Sequence, residues 1–300
     1  MRSHKTLFHF LIAALLFLGS MLSVLWMTTH SEHNQTYEIV CFGDSMLAQE
    51  RGNTSVTNIL AQEMGLRVLN GAFGGTKMAY FDKERSLFDT DDDFSMVALA
   101  QAAAYEDFSV QQTIRTRNVA TEYFEATIDE LTTVDFHKVE LILVRHGVND
   151  FQSGIPIENP QDPYDEYSFC GALRKTIECL REQLKDVRII LITPTFSWYK
   201  IEEEWMTCEE WNTGYGTLRD YVEAEHRVAK ELGIEILDQF DLFPHGQGDE
   251  YIQYTLDGLH PNDAGRALIA ASIAGYLKET KETSHMESLS KNAKSIVIDR

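Results

Sequence analysis

Cysteine is scarce in this chain. Four cysteines spread over 300 residues cannot staple a fold of this length, which removes the disulfide-scaffold class. Cys170 and Cys179 fall on one predicted helix, roughly 13 Å apart along its axis and too far to pair with each other; a Cys170–Cys208 pair stays open. Basic side chains are also in short supply, with 26 Lys and Arg against 47 Asp and Glu and a net charge of −21. Such a surface repels polyanions, so nucleic acid and anionic lipid headgroups are excluded as specific partners. There is no internal repeat, no Gly-x-Ser-x-Gly elbow, and no ligand spacing for a metal or an organic cofactor. The acidic run Asp89–Asp93 comes nearest, but Phe94 and Ala100 stand where a calcium loop needs glycine and glutamate. Carboxylates favouring a helix amino terminus account for it better.

What is present fits one α/β domain with insertions. Hydrophobic residues make up 44% of the chain and charged ones 24%, enough apolar side chains for a sizeable core. The long apolar run is Leu7–Met27, apolar apart from His9 and a few small or hydroxyl residues, preceded by Arg2 and Lys5 in a short segment 1–6 and followed by a polar tether, 28–36. Its 21 residues are long enough to span a bilayer. Basic residues on the amino-terminal flank predict a cytoplasmic start, a single-pass membrane helix and an extracytoplasmic body. The missing small-x-small site favours a retained anchor over a cleaved signal peptide, which would make the protein secreted.

Within the body, 37–278, apolar runs and turn residues alternate. Tyr37–Phe42 reads as the first strand, Ser55–Met64 as the first helix and Leu66–Leu69 as the second strand. Segment 76–136 is too long for a connection and carries its own helices, one capped by Asp93 and running through Ala104, one capped by Asn118 and running to Leu131. Val139–Val144 reads as a central parallel strand, with Asn149 in the loop after it. Three prolines make Gly154–Tyr167 an irregular connection. Ser168–Lys185 is a helix, Val187–Ile192 a strand, Gly214–Leu232 a helix and Ile234–Leu237 the last strand. Asn262–Leu277 closes the domain, and 279–300 is a polar, loosely ordered tail.

The chemistry gathers in four short stretches. Gly43-Asp44-Ser45 sits between a strand and a helix, where open parallel sheets collect their functional groups. A serine hydroxyl there needs a base, an orienting acid and donors for an oxyanion. Asp257 lies three residues before His260, a spacing that lets the two side chains face each other across one turn. Asp257 would then hold the imidazole and His260 take the proton of Ser45. Asn70–Gly75 offers backbone amides without side chains in the way, and Asn149 in Gly147-Val148-Asn149-Asp150 offers a side-chain amide. His137, His146, His226 and His245 lack such surroundings and read as structural or surface residues.

In order and spacing these stretches resemble the four signature blocks of the SGNH, or GDSL, hydrolase family, over roughly residues 37–278. The resemblance implies a flavodoxin-like three-layer α/β/α sandwich whose central parallel sheet has the order 2-1-3-4-5. It also implies a Ser45, Asp257, His260 triad without metal or cofactor, and an oxyanion hole of the Ser45 amide, a glycine amide and Asn149. The glycine matches Gly75, with adjacent Gly74 as the alternative. Two features depart from the family pattern: Arg145-His146 before Gly147, and the long insertion 76–136.

The expected activity is hydrolysis of an ester, of acylesterase or deacetylase type. An acyltransferase with the same triad, passing the acyl group to a sugar hydroxyl, and a catalytically silent binding module on the same fold are the alternatives. Trp198, Trp205 and Trp211 fall with five glutamates in 195–213. They either form a rim that stacks on a sugar face or pack the following helix onto the sheet. With the acidic surface and the expected export, this points to a neutral substrate such as an acylated glycan.

Overall fold

The structure, a computed structural model, describes residues 36–81, 92–116, 122–245 and 249–298. The expected membrane helix 7–27, nearly all of the tether and the expected cap Asn118 lie outside them. Among the described residues no helix is long and apolar enough to cross a membrane.

Strands β1 (Ile39–Gly43), β2 (Val68–Asn70), β3 (Leu141–Arg145) and β4 (Arg188–Ile192) are followed by a hairpin, β5 (Trp198–Ile201) and β6 (Glu204–Thr207), and by β7 (Glu235–Leu237). The hairpin strands pair only with each other; the other five form one parallel sheet in the order β2-β1-β3-β4-β7. Counted within that sheet, this is the expected 2-1-3-4-5. Every residue of β1 and β3 is buried, as central strands covered on both faces require.

The helices are α1 (Ser45–Ala48), α2 (Val56–Met64), α3 (Met96–Tyr105), α4 (Ser109–Gln112), α5 (Glu122–Leu131), α6 (Val148–Gln152), α7 (Phe169–Gln183), α8 (Leu218–Leu232) and α9 (Asp263–Ile298). Strand side chains alternate between two apolar layers, following the two-residue period of the pleat. Ile39, Cys41, Leu141 and Leu143 pack with Leu60 of α2 and Ile269 and Ile273 of α9. Val40, Phe42, Ile142 and Val144 pack with Leu99 of α3, Ile177 of α7 and Val228 of α8. The result is a three-layer α/β/α sandwich with its core on both faces of the sheet.

Three local expectations need correction, and one open question closes. The helix after the acidic run is capped by Ser95, whose side chain accepts from the Ala98 N–H, while Asp93 lies in a preceding 3-10 turn with buried Phe94. A hydroxyl beside the first turn therefore does the capping expected of the carboxylate. Asn149 stands on the short helix α6 and not in a loop. The closing helix continues past Leu277 to Ile298, so 279–298 is helical where a loose polar tail was expected; its Glu, Lys, Met and Leu content suits a helix. All four cysteines are free, which leaves no Cys170–Cys208 pair.

The proline-containing segment 154–167 is irregular, as expected, and is held by Arg174 of α7. Its guanidinium reaches Glu158 at 2.8 Å, the Pro163 carbonyl at 2.9 Å and Glu231 of α8 at 2.8 Å.

Candidate active site

Ser45 begins α1 immediately after β1, at the carboxyl end of the sheet. Asp44 caps this helix by accepting from the Met46 N–H at 2.9 Å. The turn thus holds the Ser45 N–H at a helix amino terminus, where backbone donors are left free and favour negative charge.

His260 comes from the far end of the chain. Its Nε2 lies 2.9 Å from Ser45 Oγ and its Nδ1 lies 2.7 Å from Asp257 Oδ2. Asp257 also organises the turn between them, since Oδ1 accepts from the Leu259 N–H at 3.0 Å and the His260 N–H at 2.8 Å. Burial alone would raise the Asp257 carboxyl, but its hydrogen bonds with the His260 ring and backbone bring it below the usual range. A bridge between Thr255 and Pro261 closes the turn at its base, and Arg266 of α9 ties it down, reaching the Pro261 carbonyl at 2.6 Å and the Thr54 carbonyl at 2.9 Å. Two segments 215 residues apart in sequence therefore meet at a hydrogen bond.

The glycine segment after β2 runs along the end of β1, with Phe73 N–H donating to the Gly43 carbonyl at 2.9 Å. Gly74 faces the nucleophile: a Cβ on it would lie 3.7 Å from Ser45 Cβ. Its N–H donates to the Tyr123 hydroxyl at 2.9 Å. Gly75 adopts φ +79 and has open space around its α-carbon. Its N–H makes no hydrogen bond to a described residue.

Asn149 donates one side-chain hydrogen to the Thr76 carbonyl at 2.9 Å, which leaves a second for a ligand. Asp150 is fully buried and accepts from Met78 N–H at 2.8 Å and Ala79 N–H at 3.0 Å. Burial pushes its carboxyl up to about 6 against these hydrogen bonds. Asn149 and Asp150 together clamp the segment that follows Gly75, a positioning role that the sequence motif contained without declaring.

The departing pair Arg145-His146 lies under the site. Arg145 is 1% exposed, pairs in register with Gly43, and places Nη1 4.0 Å from Asp44 Oδ1. Burial raises the Asp44 carboxyl and the Arg145 charge opposes this. Glu225 of α8 is buried with them and pushed up to about 8 by desolvation, again opposed by Arg145. His146 is buried, pushed down to about 3 by burial and by the neighbouring Arg145 charge, and meets Thr76 Oγ1 at 3.3 Å. Neutral and enclosed, it is no rival to His260 as a base. His226 and His245 pair with Asp238 and Asp241.

The three tryptophans divide. Trp198 is buried, and Trp211 packs on Phe151 and Tyr199 at ring distances of 5.1 and 4.8 Å. Trp205, on β6, is 46% exposed and lies against Tyr251 at 4.7 Å. The hairpin bearing it packs on the histidine turn, with Trp198 N–H donating to the Gly258 carbonyl at 2.9 Å. Sequence spacing did not reveal this hairpin, because its glutamate-rich pattern lacks an Asn-Gly or Gly-Gly turn and Glu202 and Glu203 themselves take the positive φ at its tip. Among the described residues, no group of three or more His, Cys, Asp and Glu side chains is arranged to hold a metal ion.

Three solved structures illustrate the likeness of fold. One matches with a TM-score of 0.58 at 23% identity, covering 83% of this chain and 98% of the other. A protein from Lactobacillus plantarum matches with a TM-score of 0.55 at 19% identity over 82% of this chain and 99% of its own. A possible lipase from Chitinophaga pinensis matches with a TM-score of 0.50 at 16% identity over 82% and 98%. No curated protein matches the sequence significantly. The model of the GDSL-like lipase/acylhydrolase family matches residues 41–268, a span that runs from β1 through the serine turn and the histidine turn into α9, and the chain belongs to that family.

Proposed function

We propose that this protein is an exported, membrane-tethered serine ester hydrolase of acylesterase type that removes short acyl groups from glycans. The observation that carries the reading is the continuous line from Ser45 Oγ through His260 to Asp257, with contacts of 2.9 and 2.7 Å. His260 Nε2 takes the serine proton as Oγ attacks the ester carbonyl, and Asp257 stabilises the imidazolium that forms. The oxyanion is held by the Ser45 N–H, the Gly75 N–H and the second Asn149 side-chain hydrogen. Gly75 takes this role because Tyr123 already engages the Gly74 N–H. The carbonyl–alkoxy bond then breaks, His260 returns its proton to the leaving alcohol, and water attacks the acyl-serine by the same route to release the acid.

The glycan assignment rests on the alcohol side of the ester. The leaving oxygen must face His260, and beside the histidine turn stands Trp205 on a hairpin that also carries Glu202, Glu203 and Glu204. An exposed indole offers an apolar face and carboxylates accept from hydroxyls, a combination that suits a sugar better than an aliphatic alcohol. Export is supported by the apolar run 7–27 and its basic flank.

The test is p-nitrophenyl acetate hydrolysis by the full chain in detergent, beside Ser45→Ala protein of unchanged circular dichroism. Turnover lost with Ser45 and extended to acetylated oligosaccharides supports the reading. Product carrying the acyl group on an added sugar acceptor would make the enzyme a transferase, and equal inertness of both folded proteins would leave a binding module.

A further inference from the structure

Tyr123 belongs to the insertion 76–136 and not to any of the four signature stretches, yet its hydroxyl reaches the loop beside the nucleophile. The oxygen accepts from Gly74 N–H at 2.9 Å, and it lies 2.8 Å from the point where a Gly74 Cβ would stand, a point itself 3.7 Å from Ser45 Cβ. The space in front of Gly74 is thus bounded by Ser45 on one side and by the tyrosine on the other. An alanine there would push the tyrosine hydroxyl aside.

The ring is fixed from several directions. The Arg51 guanidinium sits over it at 4.6 Å, and Arg51 is itself pinned to the glycine segment through the Asn70 carbonyl at 3.0 Å and the Ala72 carbonyl at 2.6 Å. Phe124 packs on Tyr123 at 5.0 Å and on Phe73 at 4.9 Å. A residue so held is a wall and not a swinging lid.

The sheet order says what the wall faces. A tetrahedral carbon on Ser45 Oγ carries an oxyanion, a leaving oxygen and the acyl carbon. The oxyanion is directed to the amide donors and the leaving oxygen to His260, whose turn packs against the hairpin that follows β4. Gly74 and Tyr123 follow β2, on the other side of β1 from β4. Gly75 on that segment is engaged with the oxyanion, so the acyl carbon is left the space in front of Gly74, where the Tyr123 hydroxyl stands. We infer that Tyr123 is the residue that limits acyl chain length, closing the acyl side of the site behind Gly74 so that acetyl-sized groups fit and longer chains do not. The inference rests on Ser45 acting as the nucleophile.

The test compares kcat/KM for p-nitrophenyl acetate, butyrate and hexanoate in the full chain, in Ser45→Ala, and in Tyr123→Phe, Tyr123→Leu and Tyr123→Ala, each checked by circular dichroism. Wild type prefers acetate. Removing the ring in Tyr123→Leu or Tyr123→Ala raises the hexanoate-to-acetate ratio by about tenfold or more, as expected when a pocket gains room for methylenes. Tyr123→Phe keeps the wall and the wild-type ratio, and lowers all three rates together by losing the acceptor for Gly74 N–H. An unchanged ratio in whichever of the Leu and Ala variants folds overturns the inference, and so does a wild type that prefers hexanoate. Activity that survives Ser45→Ala overturns instead the reading on which it rests.

Discussion

Asp257→Asn isolates the electronic part of the site from its architecture. Asparagine keeps Oδ1, which accepts from the Leu259 and His260 N–H groups at 3.0 and 2.8 Å, so the histidine turn survives. Oδ2 becomes an amide donor aimed at His260 Nδ1, 2.7 Å away. Nδ1 must then be an acceptor, and the neutral ring carries its proton on Nε2, the atom that has to receive the serine proton. Loss of a fully enclosed aspartate in such an arrangement costs on the order of 10⁴ in kcat. The Asp257 side chain here is 53% exposed, so water lessens the penalty for the working tautomer. The expected loss is on the order of 10² to 10³ in kcat, about 3 to 4 kcal/mol, with KM little changed. Steady-state hydrolysis of p-nitrophenyl acetate between pH 6 and 9 measures it, with circular dichroism to confirm the fold. Activity within about threefold of wild type would refute the assignment of Asp257 as the group that orients His260.

Two further expectations concern the groups beneath and beside the site. Unfolded, Glu225 ionises near 4.5, whereas in the folded chain desolvation pushes it up to about 8. Between these values the native state keeps a proton that the unfolded chain has released, so stability falls as pH rises through the window, by up to about 1.4 kcal/mol per pH unit. Glu225→Gln does not titrate and loses this slope, which urea unfolding at pH 5 and pH 8 would show; equal slopes in both proteins would contradict it. Gly258 has φ +92, and a Cβ on it would lie 2.6 Å from the Trp198 carbonyl oxygen. Gly258→Ala should therefore cost more than about 1 kcal/mol of stability and lower kcat/KM by displacing the hairpin against the histidine turn; thermal unfolding and esterase kinetics both at wild-type values would show that the two are not coupled.

Much of the frame was legible because local chemistry is strong there. Ser55 and Ser168 cap the helices they precede, and the continuous apolar runs of β1, β3 and β4 are what fully covered parallel strands require. Asp257 and His260 could be paired because three residues is one turn. Where local signals compete, the sequence misled. Asp93 and Ser95 are both good caps, and the choice fell to Ser95, preceded by a 3-10 turn with Phe94 buried. Asn149 follows a strand and a glycine, which reads as a loop until α6 is seen.

The sequence by itself determined the order of the five sheet strands and of the long helices between them, the strand-to-helix turn that presents Ser45, and the pairing of Asp257 with His260, because each depends on residues within a turn or a strand of one another. Only the tertiary structure decided which tryptophan is exposed, which glycine amide is left unengaged, and that Tyr123 from the insertion stands beside the nucleophile. These are contacts between segments tens to hundreds of residues apart, made when the sheet order brings strand ends together, and no spacing along the chain encodes them.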